Sequence, residues 1–248
     1  MVDALGWRKV FAVVGPSTNT IVQPDMEAMR PAGVTNHYRA IAVEDPIALS
    51  DETFLAGARK ISDGMKDALR SAITCRPDYL VLGVSAISFT GGLSGARRFV
   101  GEVRDLTNLD ISVGSLATAA ALETYGNVRR ISFLSPYYPA ANAQVRRFFE
   151  DCGYEVKRDV ALRCTSWTNI ARVDERTLRA TLLELDGPDV DAIVQVGTNL
   201  SMVRLAARAE TTLNKPVVAI NAATYWHAMR ACGIPDRISG LGRLLEHH

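Results

Sequence analysis

The sequence predicts an α/β protein with parallel sheets, built as two similar lobes that face each other across a cleft. Three observations lead there. Short apolar, β-rich runs recur along the chain, helical patterns fill the intervals, and the two halves repeat one order of turns. Strands alternating with helices of this length mark α/β units around parallel sheets. The strands are nearly continuous in apolar residues, as strands covered on both faces should be.

The expected strands are Val10–Val14, Tyr38–Val43, Tyr79–Val84, Ile131–Leu134, Ala192–Val196 and Val217–Ile220. After the first, Asp25 and Glu27 begin a helix and complement its dipole, and His37 falls in a loop after Gly33-Val34-Thr35-Asn36. Phe54, Ala58, Ile61, Met65, Ala68 and Ala72 step by three and four along one helix face. Val145, Phe148, Phe149 and Cys152 form a second face, ending at Gly153. Leu178, Leu182 and Leu185 form a third, stopped by Gly187-Pro188, and Met202, Leu205, Ala206, Ala209 and Leu213 a fourth. The pairs Arg97-Arg98 and Arg146-Arg147 read as solvated helix faces.

The repeat lies in the turns. Each half opens with an apolar strand running into a proline-polar turn, Gly15-Pro16-Ser17-Thr18-Asn19 and then Ser135-Pro136-Tyr137. Each has a later strand ending in a small hydroxyl-bearing turn, Gly83-Val84-Ser85 and then Val196-Gly197-Thr198-Asn199. Pro16 precedes Ser85 by 69 residues and Pro136 precedes Thr198 by 62. The division is residues 1–113 plus 223–248 for the first lobe and 114–222 for the second. All four turns sit at the carboxyl ends of expected strands, where open α/β sheets place ligands. Each precedes a helix start, so backbone N–H groups point into the cleft. Ser17, Thr18, Asn19, Ser85, Thr198 and Asn199 add neutral hydrogen-bonding side chains suited to a carboxylate. The alternative is that these residues only cap helices; four in matched positions favour a site.

Composition removes several function classes. The net charge is +1, with no basic stripe for nucleic acid. No apolar run approaches the roughly 20 residues of a membrane span. The N-terminal segment reads as mature sequence, and Leu245–His248 as a tag stub or a natural end. Cys75, Cys152, Cys164 and Cys232 are too dispersed for a zinc site or a disulfide framework, so a reducing cytoplasm is expected. There is no GxGxxG or Walker-type loop, and nucleotide binding is unsupported.

Pro16-Ser17-Thr18-Asn19-Thr20 resembles the PSxNT turn of the maleate cis-trans isomerase and arylmalonate decarboxylase branch of the aspartate/glutamate racemase superfamily. Similar matches follow in order. They are Ser88-Phe89-Thr90-Gly91-Gly92, Ser135-Pro136-Tyr137 with Asn142, Thr198-Asn199-Leu200, Lys215-Pro216-Val217, Ala223-Thr224-Tyr225-Trp226-His227 and Gly240–Leu245. The last favours a natural end. The resemblance implies two flavodoxin-like lobes, a homodimer or higher homo-oligomer, and no organic cofactor or metal. It also implies chemistry at a carbon next to a carboxylate, with a cysteine on each face of the substrate in typical members. Those two positions match Val84 and Gly197 here, so both catalytic cysteines are absent. Where the family often has Glu, this chain has Gln23, and an inward carboxylate is expected to be missing too.

The resemblance assigns Tyr137 to the substrate carboxylate, and Tyr137 is the best proton donor. Ser85 is the second catalytic candidate. Pro16, Ser17, Thr18, Asn19, Val84, Ala86, Asn142, Gly197, Thr198 and Asn199 complete the expected binding site. His227 reads as helix packing, and the four cysteines as packing residues, with the loop after Cys164 able to approach the cleft. The leading expectation is a cofactor-independent lyase, decarboxylase or isomerase acting on a small carboxylate or dicarboxylate through an enediolate-like intermediate. A hydrolase of a maleate-like amide or ester, and a non-catalytic carboxylate-binding protein, are the alternatives.

Overall fold

The computed structural model describes residues 3–45, 47 and 49–248. The first sheet is built from β1 (Lys9–Pro16), β2 (Val34–Ile41), β3 (Tyr79–Leu82) and β4 (Ile111–Ser112), with α1 (Val22–Ala28), α2 (Asp51–Ala72), α3 (Gly92–Thr107) and α4 (Gly114–Thr124) between and after them. The second contains β5 (Arg130–Ser135), β6 (Glu155–Ala161), β7 (Ala192–Gln195) and β8 (Val217–Ala219). Its helices are α5 (Pro139–Asp151), the single turn α6 (Trp167–Ile170), α7 (Glu175–Leu185) and α8 (Val203–Leu213). β8 runs directly into α9 (Ile220–Ala231), which packs on α4, α1 and the first sheet; α10 (Arg243–His247) closes the chain.

Every strand pair is parallel, and the orders are β2-β1-β3-β4 and β6-β5-β7-β8. The inner strands are buried along their length, which explains their unbroken apolar runs. Four-stranded sheets in this order have one switch point each, between β1 and β3 and between β5 and β7. There the chain leaves neighbouring strands in opposite directions and opens a crevice at their carboxyl ends. The four repeated turns are the four strand ends at these two switch points.

The second strand differs from expectation. β2 starts at Val34, not Tyr38, because Val34 pairs with Lys9, and its sequence is half polar as suits an edge. His37 therefore lies on a strand opposite Ala12, not in a loop. β4 is only two residues long, and β6, Glu-Val-Lys-Arg-Asp-Val-Ala, carries the charges of an exposed edge. Neither shows an apolar run, so neither was expected from the sequence. α2 has the expected face buried and a capping box at Ser50 and Thr53.

The switch point of the first sheet demands close backbone approach. A Cβ on Gly83 would stand 2.8 Å from Val22 Cγ1 and 3.2 Å from the Val14 carbonyl. Gly83→Ala is therefore expected to destabilise the fold by about 1–3 kcal/mol, read in a thermal melt as a fall of roughly 3–10 °C in Tm. An unchanged Tm would mean that β1 and β3 can spread without penalty.

Candidate functional site

Three groups from the two sheets meet between the switch points. The Ser85 hydroxyl, just past β3, lies 2.5 Å from the Tyr137 hydroxyl, just past β5. It also accepts the Thr198 backbone N–H, from the turn after β7, at 3.3 Å. The Thr198 hydroxyl donates to the Gly83 carbonyl at 2.9 Å and accepts from Asn19 Nδ2 at 3.1 Å. Asn19 Oδ1 caps α1 by accepting the N–H groups of Ile21 and Val22, each at 3.0 Å. Asn199 Oδ1 accepts from Thr20 N–H at 3.0 Å. The turns after β1 and β7 are thus stitched together side chain to backbone across the cleft. The short helical turn Ala86–Phe89 begins beside Ser85, and its first N–H groups have no partner within the turn.

These groups line a cavity of about 40 Å³, room for a few waters. Its polar side is Asn19, Ser85, Tyr137, Thr198 and Asn199; its apolar side comes from Ala58 and Ile61 of α2, Ile87, and Trp167 and Ile170 of α6. α6 covers the cavity. Ser166 caps it, Asn199 Nδ2 donates to the Trp167 carbonyl at 2.9 Å, and Asp45 accepts from Thr168 N–H at 3.1 Å and from its hydroxyl at 2.6 Å. The Trp167 ring stands edge-on to Phe54 at 4.9 Å, and Phe54 packs on Tyr137 at 5.3 Å.

Burial pushes the Tyr137 hydroxyl far above the usual phenol range, and the bond to Ser85 only partly offsets this. Tyr137 is a neutral donor at any ordinary pH. Burial also raises Cys152, Cys164 and Cys232 to about 11 and Cys75 upward, so these thiols stay protonated. None is among the residues lining the cavity, although Cys164 N–H donates to the Pro136 carbonyl next to it. His227 bonds Ser112 at 2.7 Å behind the first sheet, and burial lowers its pKa. Among the described residues, no group of three or more His, Cys, Asp or Glu is placed to hold a metal ion.

Of the residues singled out in the sequence, Pro16, Thr18, Asn19, Val84, Ser85, Ala86, Tyr137, Gly197, Thr198 and Asn199 all line this cavity. Ser17 and Asn142 do not. The Ser17 hydroxyl turns outward to the Val43 backbone at 3.1 Å and ties the ends of β1 and β2. Asn142 is bonded to Ser135 and donates to Asp159 at 2.7 Å, and Ser135 in turn accepts Tyr137 N–H at 3.0 Å. Asn142 thus reaches the cavity only through the backbone it orients. Gln23 is exposed, so no inward carboxylate is missing there. A half-buried carboxylate stands two residues on, at Asp25, which the sequence marks only as a dipole partner. It accepts from Asn221 Nδ2 at 2.8 Å, and burial lifts its pKa to about 6, against the opposing bond to Asn221 and the charge of Arg204. Helix periodicity had marked Ala58 and Ile61 as core, and nothing local marked Asn221.

The sequence profile of the arylmalonate decarboxylase family matches residues 25–245. A maleate isomerase from Pseudomonas putida is 23% identical over 93% of this chain and 94% of its own. Among solved structures, a Nocardia farcinica maleate cis-trans isomerase holding a covalently bound succinylcysteine intermediate superposes with a TM-score of 0.86 at 19% identity. It covers 97% of this chain and 99% of its own. An arylmalonate decarboxylase superposes with a TM-score of 0.74 at 21% identity, over 95% and 98% of the two chains.

Two measurements check this geometry. Asp25 holds its proton in the folded state between about pH 4 and 6, where the unfolded chain has lost it, so its contribution to stability falls as pH rises through that window. Asp25→Asn removes the buried charge; it is expected to match the wild type near pH 4 and exceed it by about 1–3 kcal/mol at pH 8. An equal offset at both pH values would contradict the burial of that charge. Asp45→Ala releases Thr168, and Trp167 fluorescence, isolated by Trp7→Phe and Trp226→Phe, is expected to become more accessible to acrylamide. Unchanged quenching would mean that Asp45 does not hold α6 down.

Proposed function

The chain belongs to the arylmalonate decarboxylase family, so it is an enzyme of the isomerase or lyase kind, and we propose that it decarboxylates a small malonate-type dicarboxylate bearing an apolar substituent, using neither thiol nor cofactor. One observation carries this reading: neutral hydroxyl and N–H donors gathered on one side of a cavity whose other side is apolar. The lining holds no carboxylate, imidazole, amine or thiol. A site of that kind has no group to abstract a proton from carbon, and none to add to a double bond. It has the donors that stabilise negative charge developing on oxygen.

In the proposed reaction the bond between the α-carbon and one carboxylate breaks, and carbon dioxide leaves into the apolar side. The electron pair is delocalised onto the remaining carboxylate as an enediolate, held by Ser85, Tyr137 and the backbone N–H groups at Ser85–Ala86 and Thr198–Asn199. Tyr137 then passes its proton to the α-carbon and recovers one from solvent by way of Ser85. An enediolate carbon is a far stronger base than a phenolate, so the raised pKa of Tyr137 does not prevent this transfer. Trp167 and Ile170 of α6 stand on the apolar wall that a bound substrate would meet.

The position that matches the family's second thiol supports a rebuilt site. Gly197 has φ +103°, and a Cβ there would stand 2.3 Å from Pro136 Cδ. The hydrolase reading finds no support in the contacts of Ser85, which meets a hydroxyl and an N–H but no base.

Proton NMR in D₂O with aryl- and alkylmalonates, maleate and maleamate is the test. Turnover of a malonate with deuterium at the α-carbon is expected, retained in a variant with all four cysteines replaced by serine. Tyr137→Phe and Ser85→Ala are each expected to lose about 10²–10³-fold in kcat. A cysteine-free variant without activity would overturn the thiol-free mechanism. Thermal shifts without product would favour the binding-protein reading.

Gly197→Cys is expected to lower Tm by several degrees and to restore no isomerase activity. Val84→Cys, on a side chain that already has a Cβ, is expected to fold normally. Equal Tm for the two variants would contradict the steric account of Gly197.

A further inference from the structure

We infer that Asp25 and Asn221 are positioning residues that aim the Thr198–Asn199 peptide at the cavity, an inference that rests on the carboxylate-binding reading of the site. Asn221, at the second position of α9, is 1% exposed. Its amide nitrogen donates in two directions, to Asp25 Oδ2 at 2.8 Å and to the Thr198 carbonyl at 2.9 Å. Both are acceptors, so together they fix the amide with its NH₂ inward. Its Oδ1 is buried without a partner among the described residues. An orphaned amide oxygen is unfavourable, and a half-turn of the amide would only bring it against two acceptors.

The peptide plane transmits this constraint. In a trans peptide the N–H of Asn199 points opposite to the Thr198 carbonyl. With the carbonyl drawn to Asn221, that N–H is directed away from α9, to the side on which Thr198 and Asn199 line the cavity. The Thr198 side chain is already fixed by Gly83 and Asn19, and the remaining freedom of the turn is rotation of this one peptide. Rotated, it would turn a carbonyl oxygen on a substrate carboxylate in place of a donor. Asp25 makes no ion pair within 4 Å among the described residues, and Arg204 acts on it only through space. A half-buried carboxylate with one side-chain amide as its partner gains little from its place in the fold, and orienting that amide is the role its position offers.

The test uses the full chain with Asp25→Ala, Asp25→Asn and Asn221→Leu. Turnover of phenylmalonate and the backbone amide resonance of Asn199 in ¹⁵N–¹H spectra are both measured. Asp25→Ala and Asn221→Leu are expected to lose about 10–100-fold in kcat with KM within about threefold, and to shift the Asn199 resonance. Asp25→Asn keeps a carbonyl acceptor and is expected to retain most of kcat and the wild-type resonance. A wild-type Asn199 resonance and kcat in Asp25→Ala would overturn the inference. So would losses in all three variants that simply follow Tm. A wild type that turns over no malonate would defeat the proposed function, while the Asn199 resonance would still decide for or against the pair.

Discussion

The Ser85 hydroxyl, held at 2.5 Å by the hydroxyl of Tyr137 and at 3.3 Å by the N–H of Thr198, ties the carboxyl end of one sheet to that of the other. All three groups are neutral and nearly free of solvent. Buried polar groups are tolerated only when satisfied, so this contact sets how the two switch points face each other. The surrounding bonds repeat the logic. Asn19 serves α1 and Thr198 at once, and Asn199 serves Thr20 and Trp167 at once. Asn19 and Asn199 thus border the cavity and hold its turns at once. The site is therefore rigid for the same reason that the interface between the sheets is stable.

Neutrality has chemical consequences. Exclusion of water strengthens every dipole in the cavity while it raises the pKa of the phenol and of the thiols around it. A site with these properties is poor at making nucleophiles and good at receiving charge that a substrate develops on oxygen. The carboxylate of Asp25 meets the 198–199 turn through the amide of Asn221. No arginine or lysine is among the residues lining the cavity. Under the proposed function, discrimination between carboxylates would fall to hydrogen-bond geometry and to the apolar wall of Ala58, Ile61 and Ile170.

Much of this was legible in the sequence, for stated reasons. Inner strands such as Tyr79–Leu82 and Ala192–Gln195 are buried on both faces, which forces the continuous apolar runs that reveal them. Ten of the twelve residues singled out by the repeated turns and the family resemblance line one cavity, because strand ends at a switch point converge by topology. The edges were not legible. β6 carries charge because one side of it meets water, and β2 begins in polar residues for the same reason. Ser17 shares its turn with Thr18 and Asn19 but not their facing, because one residue's step along an irregular segment turns a side chain from cavity to strand edge. Asn142 faces Ser135 and Asp159 from within α5. Asp25 and Asn221 are 196 residues apart in the chain. A long-range pair of that kind leaves no local signal, and only the packing of α9 on α1 brings it together.

The proposed function has a carboxylate held by neutral donors from both sheets, beneath Trp167 and Ile170 of α6. A crystal structure of the Tyr137→Phe variant grown with phenylmalonate is the decisive test. One carboxylate is expected within hydrogen-bond distance of Ser85 Oγ and the N–H groups of the 197–199 turn, with the aromatic ring against Ile61, Ile170 and Trp167 and no thiol in contact with the ligand. A ligand bound outside the two switch points, or lying within reach of Cys164, would contradict it.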